Sequence, residues 1–487
     1  MLLGIDLGTT NVKALVTDHQ GRPLGYGACP VRLFRLADAG VEQDMEEIWQ
    51  AAITAVRQAT QSIKASEVES IGVSSQGGAM QLLDGNGNAV GRVISWLDQR
   101  GKRFDDKLTA ELGREWFLRR TLHGGSWLTS GHILRLRQEQ PELLDPPNRI
   151  GFVGDIIVSR LCGNAAQDGT SAALTLLYNP IKRTYDPDLL RRLEVQPSQL
   201  PPVTSPQVPA GGLLRTFSEL TGLRSGIPVS TAVHDQYAAA LGTCSMKAGE
   251  VMVGTGTAWV LLAVGDRPPI PVTNDTLVSH HLVSGLWGQI LSMVNGGSAV
   301  TWAMELTVPA AKAGNGLDPL LESCPPGSDG VTFWPFIAPA GGSGLSQGTK
   351  GRFSGLQLSH GGKHLVRAVV EGLAYELNRH LGFLAKANHS ANELGMGGGA
   401  SASRVTPQLV ADVSGLPLRC FTGTDASLLG AAMLASGLLE PHKNLDQVAT
   451  AMMRPFKRVE PGPNAPFYQE QYQRYLASLP IADANRL

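Results

Sequence analysis

The fold of this chain is decided by Gly4-Ile5-Asp6-Leu7-Gly8-Thr9-Thr10, a Gly-Thr turn that lies between apolar runs. These runs, at 2–5 and 12–16, predict a β-hairpin that begins at the first residues. The same pattern of strand, Gly-Thr turn and strand returns about half a chain later at 250–264, around Val253-Gly254-Thr255-Gly256. Two such hairpins favour a duplicated domain, in which each half supplies one turn that faces phosphate.

Downstream of the first hairpin, helical and strand-like patterns alternate, which favours an α/β or α+β layered fold. The predicted helices lie at 45–63, 237–241, 403–413 and from 430, and the predicted strands at 71–75, 80–83 and 227–233. The boundary between the two halves is expected between residues 230 and 250.

The composition excludes several classes of protein. Hydrophobic residues make up 43% of the 487 residues and charged residues 17%, which argues against a disordered chain, a coiled coil or a fibrous repeat. Lys and Arg number 41 against 42 Asp and Glu, and this balance argues against a nucleic acid or an anionic membrane as partner. Five scattered cysteines indicate neither a disulfide framework nor a zinc site. Without an apolar run of about 18 residues or a basic leader segment, a cytoplasmic protein is expected.

The Gly-Thr turns have the residue types that phosphate binding requires. Glycine lets backbone N–H groups approach phosphate oxygens closely, and threonine hydroxyls add further donors. Asp6, at the end of its strand, is a candidate Mg²⁺ ligand, directly or through water, because this cation prefers carboxylate oxygen. Lys13 is a candidate for a further phosphate contact. The alternative for each turn is a plain β-turn whose Thr side chains cap the backbone.

Asp235 follows an apolar strand and begins a predicted helix. The positive end of the helix dipole is expected to keep its carboxylate ionised, and therefore weakly basic. A weak base suits phosphoryl transfer, whose loose transition state is stabilised mainly by positioning and charge neutralisation. The alternative is a helix N-cap, for which Asp is a favoured residue. His234 and Gln236 either position the substrate or are structural polar residues.

A third glycine-rich segment, Gly397-Gly398-Gly399-Ala400-Ser401, precedes a predicted helix. Such a loop lets a flat or anionic ligand approach the backbone and the helix end, with a tight turn as the alternative. The sequence has no GxxxxGK[ST], HExxH or EF-hand pattern, which argues against a P-loop enzyme, an HExxH metalloprotease and an EF-hand calcium site.

One segment of the later half resembles a family signature. Gly351-Arg352-Phe353-Ser354-Gly355-Leu356, followed after seven residues by the stretch 364–372, is similar to the second signature of the FGGY carbohydrate kinases. Their fold is a pair of ribonuclease H-like domains flanking a deep cleft, shared with actin and the heat-shock chaperone ATPases. The resemblance extends over nearly the whole chain and implies an N-terminal domain at 1–240, with the catalytic Asp at its end, and a C-terminal domain at 241–487. It implies a structural role for Glu371.

The resemblance also implies a role for each candidate site residue. The residues expected to bind Mg·ATP lie in the two hairpins and the glycine loop: Asp6, Gly8, Thr9, Thr10, Lys13, Gly254, Thr255, Gly256, Thr257, Gly398, Gly399, Ala400, Ser401 and Arg404. The residues expected to bind the sugar are Gln76, Gly77, Gly78, Trp96, Asp98, Arg100, Asp235 and Gln236. Asp235 is the expected catalytic base and, with Asp6, the expected site of Mg²⁺, bound directly or through water.

Three segments depart from the family pattern on the sugar side. Gly77-Gly78 stands where xylulokinases have Met-His, so two substrate-contacting side chains are missing and space for a bulkier or differently oriented substrate is expected. His132 stands where the first family signature has Lys. Ala340-Gly341-Gly342-Ser343-Gly344 replaces the common E-R-x-P segment. The phosphate-binding residues are kept, so a sugar kinase is predicted and the sugar stays open.

The expected reaction is ATP-dependent phosphorylation of a primary hydroxyl of a small sugar, with a pentulose such as xylulose or ribulose as first choice. Glycerol, erythritol, a deoxy-ketose and gluconate are alternatives within the family. One rival is a non-catalytic sugar or nucleotide sensor, although a sensor needs no base. A second rival is a chaperone-like ATPase, for which the chain after residue 450 is expected to be too short to hold a peptide-binding domain. The oligomeric state is open, and a homodimer is one outcome.

Overall fold

Two mixed β-sheets form the frame of the protein. The computed structural model describes residues 1–308, 316–337, 345–346, 348–423 and 425–480. The first sheet has the strand order Gly211–Gly212, Pro228–His234, Ser70–Ser75, Leu2–Leu7, Asn11–Thr17 and Pro23–Pro30. The second sheet has the order Phe456–Val459, Leu418–Phe421, Glu393–Gly398, Glu250–Thr255, Trp259–Gly265, Trp287–Ser292 and Leu277–His280.

The two sheets repeat one pairing pattern. In the first sheet, Leu2–Leu7 is antiparallel to the next strand of the chain and parallel to Ser70–Ser75. In the second sheet, Glu250–Thr255 is likewise antiparallel to the next strand and parallel to Glu393–Gly398. The repeated hairpin sequence therefore reflects a repeated fold, and the predicted α/β class with two like domains is confirmed.

Smaller sheets and sixteen helices among the described residues complete the fold. A third sheet contains the strands Phe34–Arg35, Val41–Gln43, Ala89–Ile94, Met80–Leu83 and Arg149–Phe152, and two short pairs are Tyr178–Asn179 with Thr184–Tyr185 and Thr332–Trp334 with Arg352–Ser354. The helices are Met45–Thr60, Lys102–Leu112, Arg114–Thr121, Thr129–Glu139, Val153–Cys162, Gly169–Leu174, Pro187–Leu193, Arg215–Thr221, Asp235–Gly242, Gly297–Thr307, Leu317–Glu322, Gly362–Lys386, Thr406–Ser414, Ala426–Leu439, Leu445–Ala451 and Ala465–Ser478. Within the described part of the chain, no helix combines the length and the apolar composition that crossing a membrane requires.

Two of these helices, Asp235–Gly242 and Ala426–Leu439, pack closely against each other. A Cβ on Gly430 would lie 1.8 Å from a backbone oxygen of the partner helix, so only glycine permits this approach. A Cβ on Gly72, in the first sheet, would lie 1.8 Å from a backbone oxygen of Ala426–Leu439. A helix of the later half therefore packs on the sheet of the earlier half, and the domain boundary at 240/241 stays a prediction.

Both helices begin where a parallel strand ends. Pro228–His234 leads directly into Asp235, and Leu418–Phe421 ends shortly before Asp425 in the sequence. The helix predicted from 430 begins earlier than expected because Asp425 caps it, accepting a hydrogen bond from the backbone N–H of Ser427. Although the two strands belong to different sheets, Asp235 and Asp425, one from each half of the chain, interact electrostatically.

Candidate active site

Asp6 lies buried at the end of the first strand, between the two halves of the chain. One of its carboxylate oxygens accepts a hydrogen bond from the Ser74 hydroxyl at 2.6 Å, and the other from the Ser427 hydroxyl at 3.0 Å. Burial raises the pKa of Asp6 to about 7, and the negative charges of Asp425 and Asp235 add to this shift. The carboxylate is therefore poised to gain either a proton or a positive partner near neutral pH.

Lys13, opposite Asp6 on the adjacent strand, carries a positive charge that acts on Asp6 and Asp425. Its Nζ lies 2.5 Å from Oδ2 of Asp425 and joins the first hairpin to the helix Ala426–Leu439. Burial alone would raise the pKa of Asp425, but the Lys13 ammonium outweighs it and holds that pKa below its usual value. Sequence reasoning missed Asp425, although an Asp just before a small-residue helix is an N-cap signal that marks the position.

Asp235 is partly accessible, since 26% of its side chain is exposed. Burial raises its pKa to about 6, partly offset by hydrogen bonding from Gln236. From the sequence, the helix dipole was expected to keep Asp235 ionised and weakly basic. That expectation is wrong in degree, because desolvation outweighs the dipole and raises the pKa of Asp235. At neutral pH the carboxylate is mostly ionised, and it is a stronger base than an ordinary Asp.

His234, which precedes Asp235, is the N-cap residue of the helix. Its Nδ1 accepts a hydrogen bond from the backbone N–H of Gln236 at 3.4 Å, and its Nε2 lies 3.4 Å from Oδ1 of Asp235. Burial lowers the pKa of His234 to about 3, so the ring is neutral. His234 therefore takes the capping role that was the alternative for Asp235, and the Asp235 carboxylate stays available.

A network of side chains links the first hairpin to the sugar side predicted from the sequence. The Thr9 hydroxyl donates to Oε1 of Gln76 at 3.1 Å and accepts from Nε1 of the half-exposed Trp96 at 2.9 Å. The Gln76 amide donates to Oε1 of buried Gln43 at 3.0 Å. Thr9 thus holds Gln76 and Trp96 in place, while the neighbouring Thr10 is exposed. Gln43 has no sequence motif of its own, and sequence reasoning missed it.

Asp98 and Arg100 form a buried ion pair. Oδ2 of Asp98 accepts from the Arg100 guanidinium at 2.6 Å and from the backbone N–H of Val41 at 2.9 Å, and Arg100 also bonds Glu42 at 2.8 Å. The Asp98 side chain has no exposed surface. Asp98 and Arg100 were both expected to contact the sugar, but in the structure their side chains are bound to other groups of the protein.

The space expected beside Gly77-Gly78 is filled, and that expectation is wrong. A Cβ on Gly77 would lie 2.6 Å from Cδ2 of His234 and 2.9 Å from Cβ of Leu174. Gly78 has a φ of 71°, a conformation that favours glycine, and a Cβ there would lie 3.0 Å from Leu128. Side chains from distant segments thus occupy the volume that the two glycines leave.

The other two departures from the family pattern have different outcomes. His132 is buried, and burial lowers its pKa to about 4, so it does not supply the positive charge of the Lys it replaces. The segment Ala340-Gly341-Gly342-Ser343-Gly344 lies outside the described residues.

The second hairpin is bound tightly to the glycine loop. The Thr255 hydroxyl donates to the backbone oxygen of Gly397 at 2.7 Å and accepts from the backbone N–H of Ala400 at 3.1 Å. Gly398 has a φ of 97°, and a Cβ there would lie 2.9 Å from the Thr255 backbone. A Cβ on Gly254 would lie 3.4 Å from Oε1 of Gln236, so the second hairpin adjoins the residue that follows Asp235.

A cavity of 790 Å³ extends along the second hairpin and the glycine loop. Its lining includes Thr255, Gly256, Thr257, Gly399, Ala400 and Asp318. Two residues expected there have other partners. The Ser401 hydroxyl contacts backbone oxygens of Gly398 and Phe421, and the Arg404 guanidinium bonds Glu322 at 2.8 Å.

The Glu371 carboxylate, in the signature segment, is buried away from these groups. It accepts hydrogen bonds from the Ser328 hydroxyl and the Gly327 N–H, both at 2.9 Å, from the Tyr468 hydroxyl at 2.8 Å, and from Arg367 at 2.9 Å. A fully engaged carboxylate of this kind holds the C-terminal segments together, in agreement with the structural role expected from the sequence.

Comparisons with known proteins identify the class. The model of the N-terminal domain of the FGGY family of carbohydrate kinases matches residues 1–242, and that of the C-terminal domain matches residues 251–437. The chain belongs to the FGGY family of carbohydrate kinases.

Individual relatives carry the names of kinases for different substrates. A xylulose kinase of Escherichia coli is 26% identical over 457 residues, 91% of this chain and 91% of that protein. A glycerol kinase of Thermococcus kodakarensis is 28% identical over 447 residues, 89% of this chain and 87% of that protein. The crystal structure of xylulose kinase from Rhodospirillum rubrum, 24% identical, has a TM-score of 0.85 over 98% of this chain and 97% of that chain, and so shares its fold.

Proposed function

We propose that the chain transfers the γ-phosphoryl group of ATP to a primary hydroxyl of a small sugar. The observation that carries the proposal is the setting of Asp235, a partly exposed carboxylate at a helix N terminus. Asp6 of the first hairpin influences its charge environment, and Gly254 of the second hairpin adjoins its neighbour Gln236. A base in this setting is suited to accept the hydroxyl proton as the oxygen attacks phosphorus.

The nucleotide is proposed to bind along the second sheet, in the 790 Å³ cavity beside Gly256 and Gly399. This volume lies within the usual range for sites that hold a molecule of the size of ATP. Without side chains, the two glycines let the phosphates approach the backbone N–H groups. Lys13, from the first hairpin, would contact the terminal phosphate after exchanging its bond with Asp425.

The charges of the site fit a divalent cation. Asp6, Asp235 and Asp425 interact with one another, and Lys13 is the one cation that acts on all three among the described residues. No group of three or more His, Cys, Asp or Glu side chains in the described part of the chain is arranged to enclose a metal. Mg²⁺ would therefore be held by Asp6 and Asp235 largely through water, with phosphate oxygens as further ligands. Bound there, it would neutralise phosphate charge.

The sugar is proposed to be a pentulose such as xylulose or ribulose, lying beside Gln76 and Trp96. The half-exposed indole of Trp96, fixed by Thr9, offers an apolar surface next to polar groups, which is the mixture that sugars require. Relatives named xylulose kinase support this choice. Glycerol is the main alternative, since relatives named glycerol kinase are equally similar. A homodimer and a cytoplasmic location stay predictions.

A coupled ADP-release assay across ketoses, polyols and sugar acids tests the proposal. We expect ADP release that depends on sugar, on ATP and on Mg²⁺, with kcat/KM highest for a pentulose. Sugar binding without turnover would favour the sensor, and ATP hydrolysis that is unchanged by any sugar would favour the chaperone-like ATPase. If kcat/KM were highest for glycerol, the proposed substrate would be wrong and the proposed reaction would stand.

A further inference from the structure

The imidazole of His234 occupies the volume that a side chain at position 77 would fill. A Cβ on Gly77 would lie 2.6 Å from Cδ2 and 2.9 Å from Nε2 of this ring, closer than real Cβ atoms approach other heavy atoms. The two residues are 157 positions apart in the sequence. His234 ends the strand Pro228–His234, and Gly77 follows shortly after the neighbouring strand Ser70–Ser75. The glycine and the histidine are therefore complementary in size, and each restricts what the other position accepts.

The hydrogen bonds of His234 also determine which ring nitrogen bears the proton. Nδ1 accepts from the backbone N–H of Gln236 and so carries no proton, which leaves the proton of the ring on Nε2. Nε2 lies 3.4 Å from Oδ1 of Asp235. Hydrogen bonds of catalytic groups are often long in ligand-free structures and shorten when substrate binds. The Nε2 of His234 thus lies near one oxygen of the Asp235 carboxylate, without a hydrogen bond between them in this structure, and the other oxygen is left for the substrate.

We propose that His234 is a positioning residue for Asp235. The absence of a side chain at Gly77 lets the imidazole ring of His234 reach the Asp235 carboxylate. The inference rests on the proposed function and gives His234 a role that acts through Asp235 rather than through direct contact with the substrate. An imidazole N–H bound to Oδ1 limits rotation of the carboxylate and aims Oδ2 at the hydroxyl of the sugar. The helix cap and the Asp235 contact come from one ring, so a test has to separate them.

The replacement His234→Asn separates the two roles. Asn is a favoured N-cap, so the helix keeps its cap, but the shorter side chain does not present an N–H at the Nε2 position. We expect Tm close to wild type, KM for ATP unchanged, and kcat reduced about 10- to 100-fold, the size expected for a misplaced catalytic group. His234→Ala removes both roles and is expected to lower Tm as well as kcat. A wild-type kcat in His234→Asn would overturn the proposal.

Size complementarity supplies a second test that needs no substrate. Gly77→Ala is expected to lower Tm by at least about 2 °C, because overpacking at a tight site is destabilising. The same change made in His234→Ala is expected to cost less, since the two ring atoms are removed while the contact with Cβ of Leu174 at 2.9 Å remains. If Gly77→Ala lowered Tm equally in the wild type and in His234→Ala, the size complementarity of Gly77 and His234 would be overturned. With ¹⁵N-labelled histidine, the resonance lost in His234→Asn is expected to show the proton on Nε2, and a proton on Nδ1 would overturn the contact.

These outcomes distinguish the inference from the function on which it rests. A wild-type protein that phosphorylates no sugar in the screen refutes the proposed function, while Tm and the ¹⁵N shifts still report the His234 geometry. A wild-type protein that is active, together with a fully active His234→Asn, refutes the positioning role alone.

Discussion

The two Gly-Thr hairpins hold equivalent places in their sheets but differ in charge. In the first hairpin Asp6 faces Lys13 across the strand pair, and at the equivalent positions in the second hairpin Met252 faces Leu262. An ionisable pair in one half thus corresponds to an apolar pair in the other. The repeated backbone supplies two similar turns, and the proposed function assigns them different roles: the first hairpin brings charged side chains to the reacting groups, and the second lies beside the proposed nucleotide cavity.

The helices that follow the sheets differ in the same way. Asp235 and Asp425 each stand at the start of a helix that leaves a parallel strand, yet Lys13 neutralises only Asp425 directly. The pKa of Asp425 is held below its usual value, while burial raises that of Asp235 to about 6. Of the two related aspartates, only Asp235 thereby has a raised pKa, as the proposed base requires, and the following experiments test this difference between the halves.

The largest expected effect is that of Asp235→Ala. We expect kcat to fall about 10²–10⁴-fold, the usual contribution of a positioned general base, with KM for ATP nearly unchanged. The matched control is Asp186→Asn, which alters a buried carboxylate that caps a different helix, far from the hairpins in sequence. It is expected to lower Tm and to leave kcat as in the wild type. Turnover near the wild-type level in Asp235→Ala would show that Asp235 is not the general base.

The next effect tests the charge difference between the hairpins. Asp6→Asn is expected to raise the Mg²⁺ concentration for half-maximal activity about 10- to 100-fold, as for loss of an outer metal-orienting group. Met252→Leu, at the equivalent place in the second hairpin, is expected to leave the Mg²⁺ requirement unchanged because it conserves volume and charge. Equal Mg²⁺ titrations for Asp6→Asn and wild type would show that the first hairpin does not serve the metal.

A smaller effect tests the second hairpin. Thr255→Val removes the hydroxyl that joins Gly397 to Ala400, and loss of two hydrogen bonds is expected to raise KM for ATP about tenfold. KM for the sugar is expected to stay constant, since the proposed sugar contacts Gln76 and Trp96 belong to the earlier half of the chain. Thr221→Val, which loses a buried hydroxyl bonded to the Phe217 carbonyl, is the control for stability. A changed sugar KM with constant ATP KM would reverse the assignment of the two halves.

The smallest effect is on pH. Asp235 acts as a base only when ionised, and its pKa of about 6 places the loss of activity on the acidic side. We expect kcat/KM at pH 6 to be about half of its plateau and to fall by about tenfold per unit below that. An ordinary Asp would place the fall near pH 4. A profile that is flat down to pH 5 would show that the burial of Asp235 does not survive substrate binding.

Local patterns in the sequence were sufficient for the frame of the protein. Both hairpins, the strand before Asp235 and the signature segment around Glu371 were predicted from periodicity, turns and resemblance. Such features depend on neighbours within a few residues, because hydrogen bonding in a turn and the alternation of a strand are local. The same patterns led to the family, whose two domain models the chain matches.

Tertiary structure alone decided how the site residues are paired. Asp425 reaches Lys13 across 412 residues of sequence, and Gln43 reaches Gln76 across 33. The space expected at Gly77 is closed by His234, a residue that local pattern does not connect to it. A turn or a strand is encoded by consecutive residues, but burial, charge pairing and free volume are properties of atoms brought together from distant segments. The sequence therefore determined where the candidate groups lie along the chain, and packing determined which of them meet.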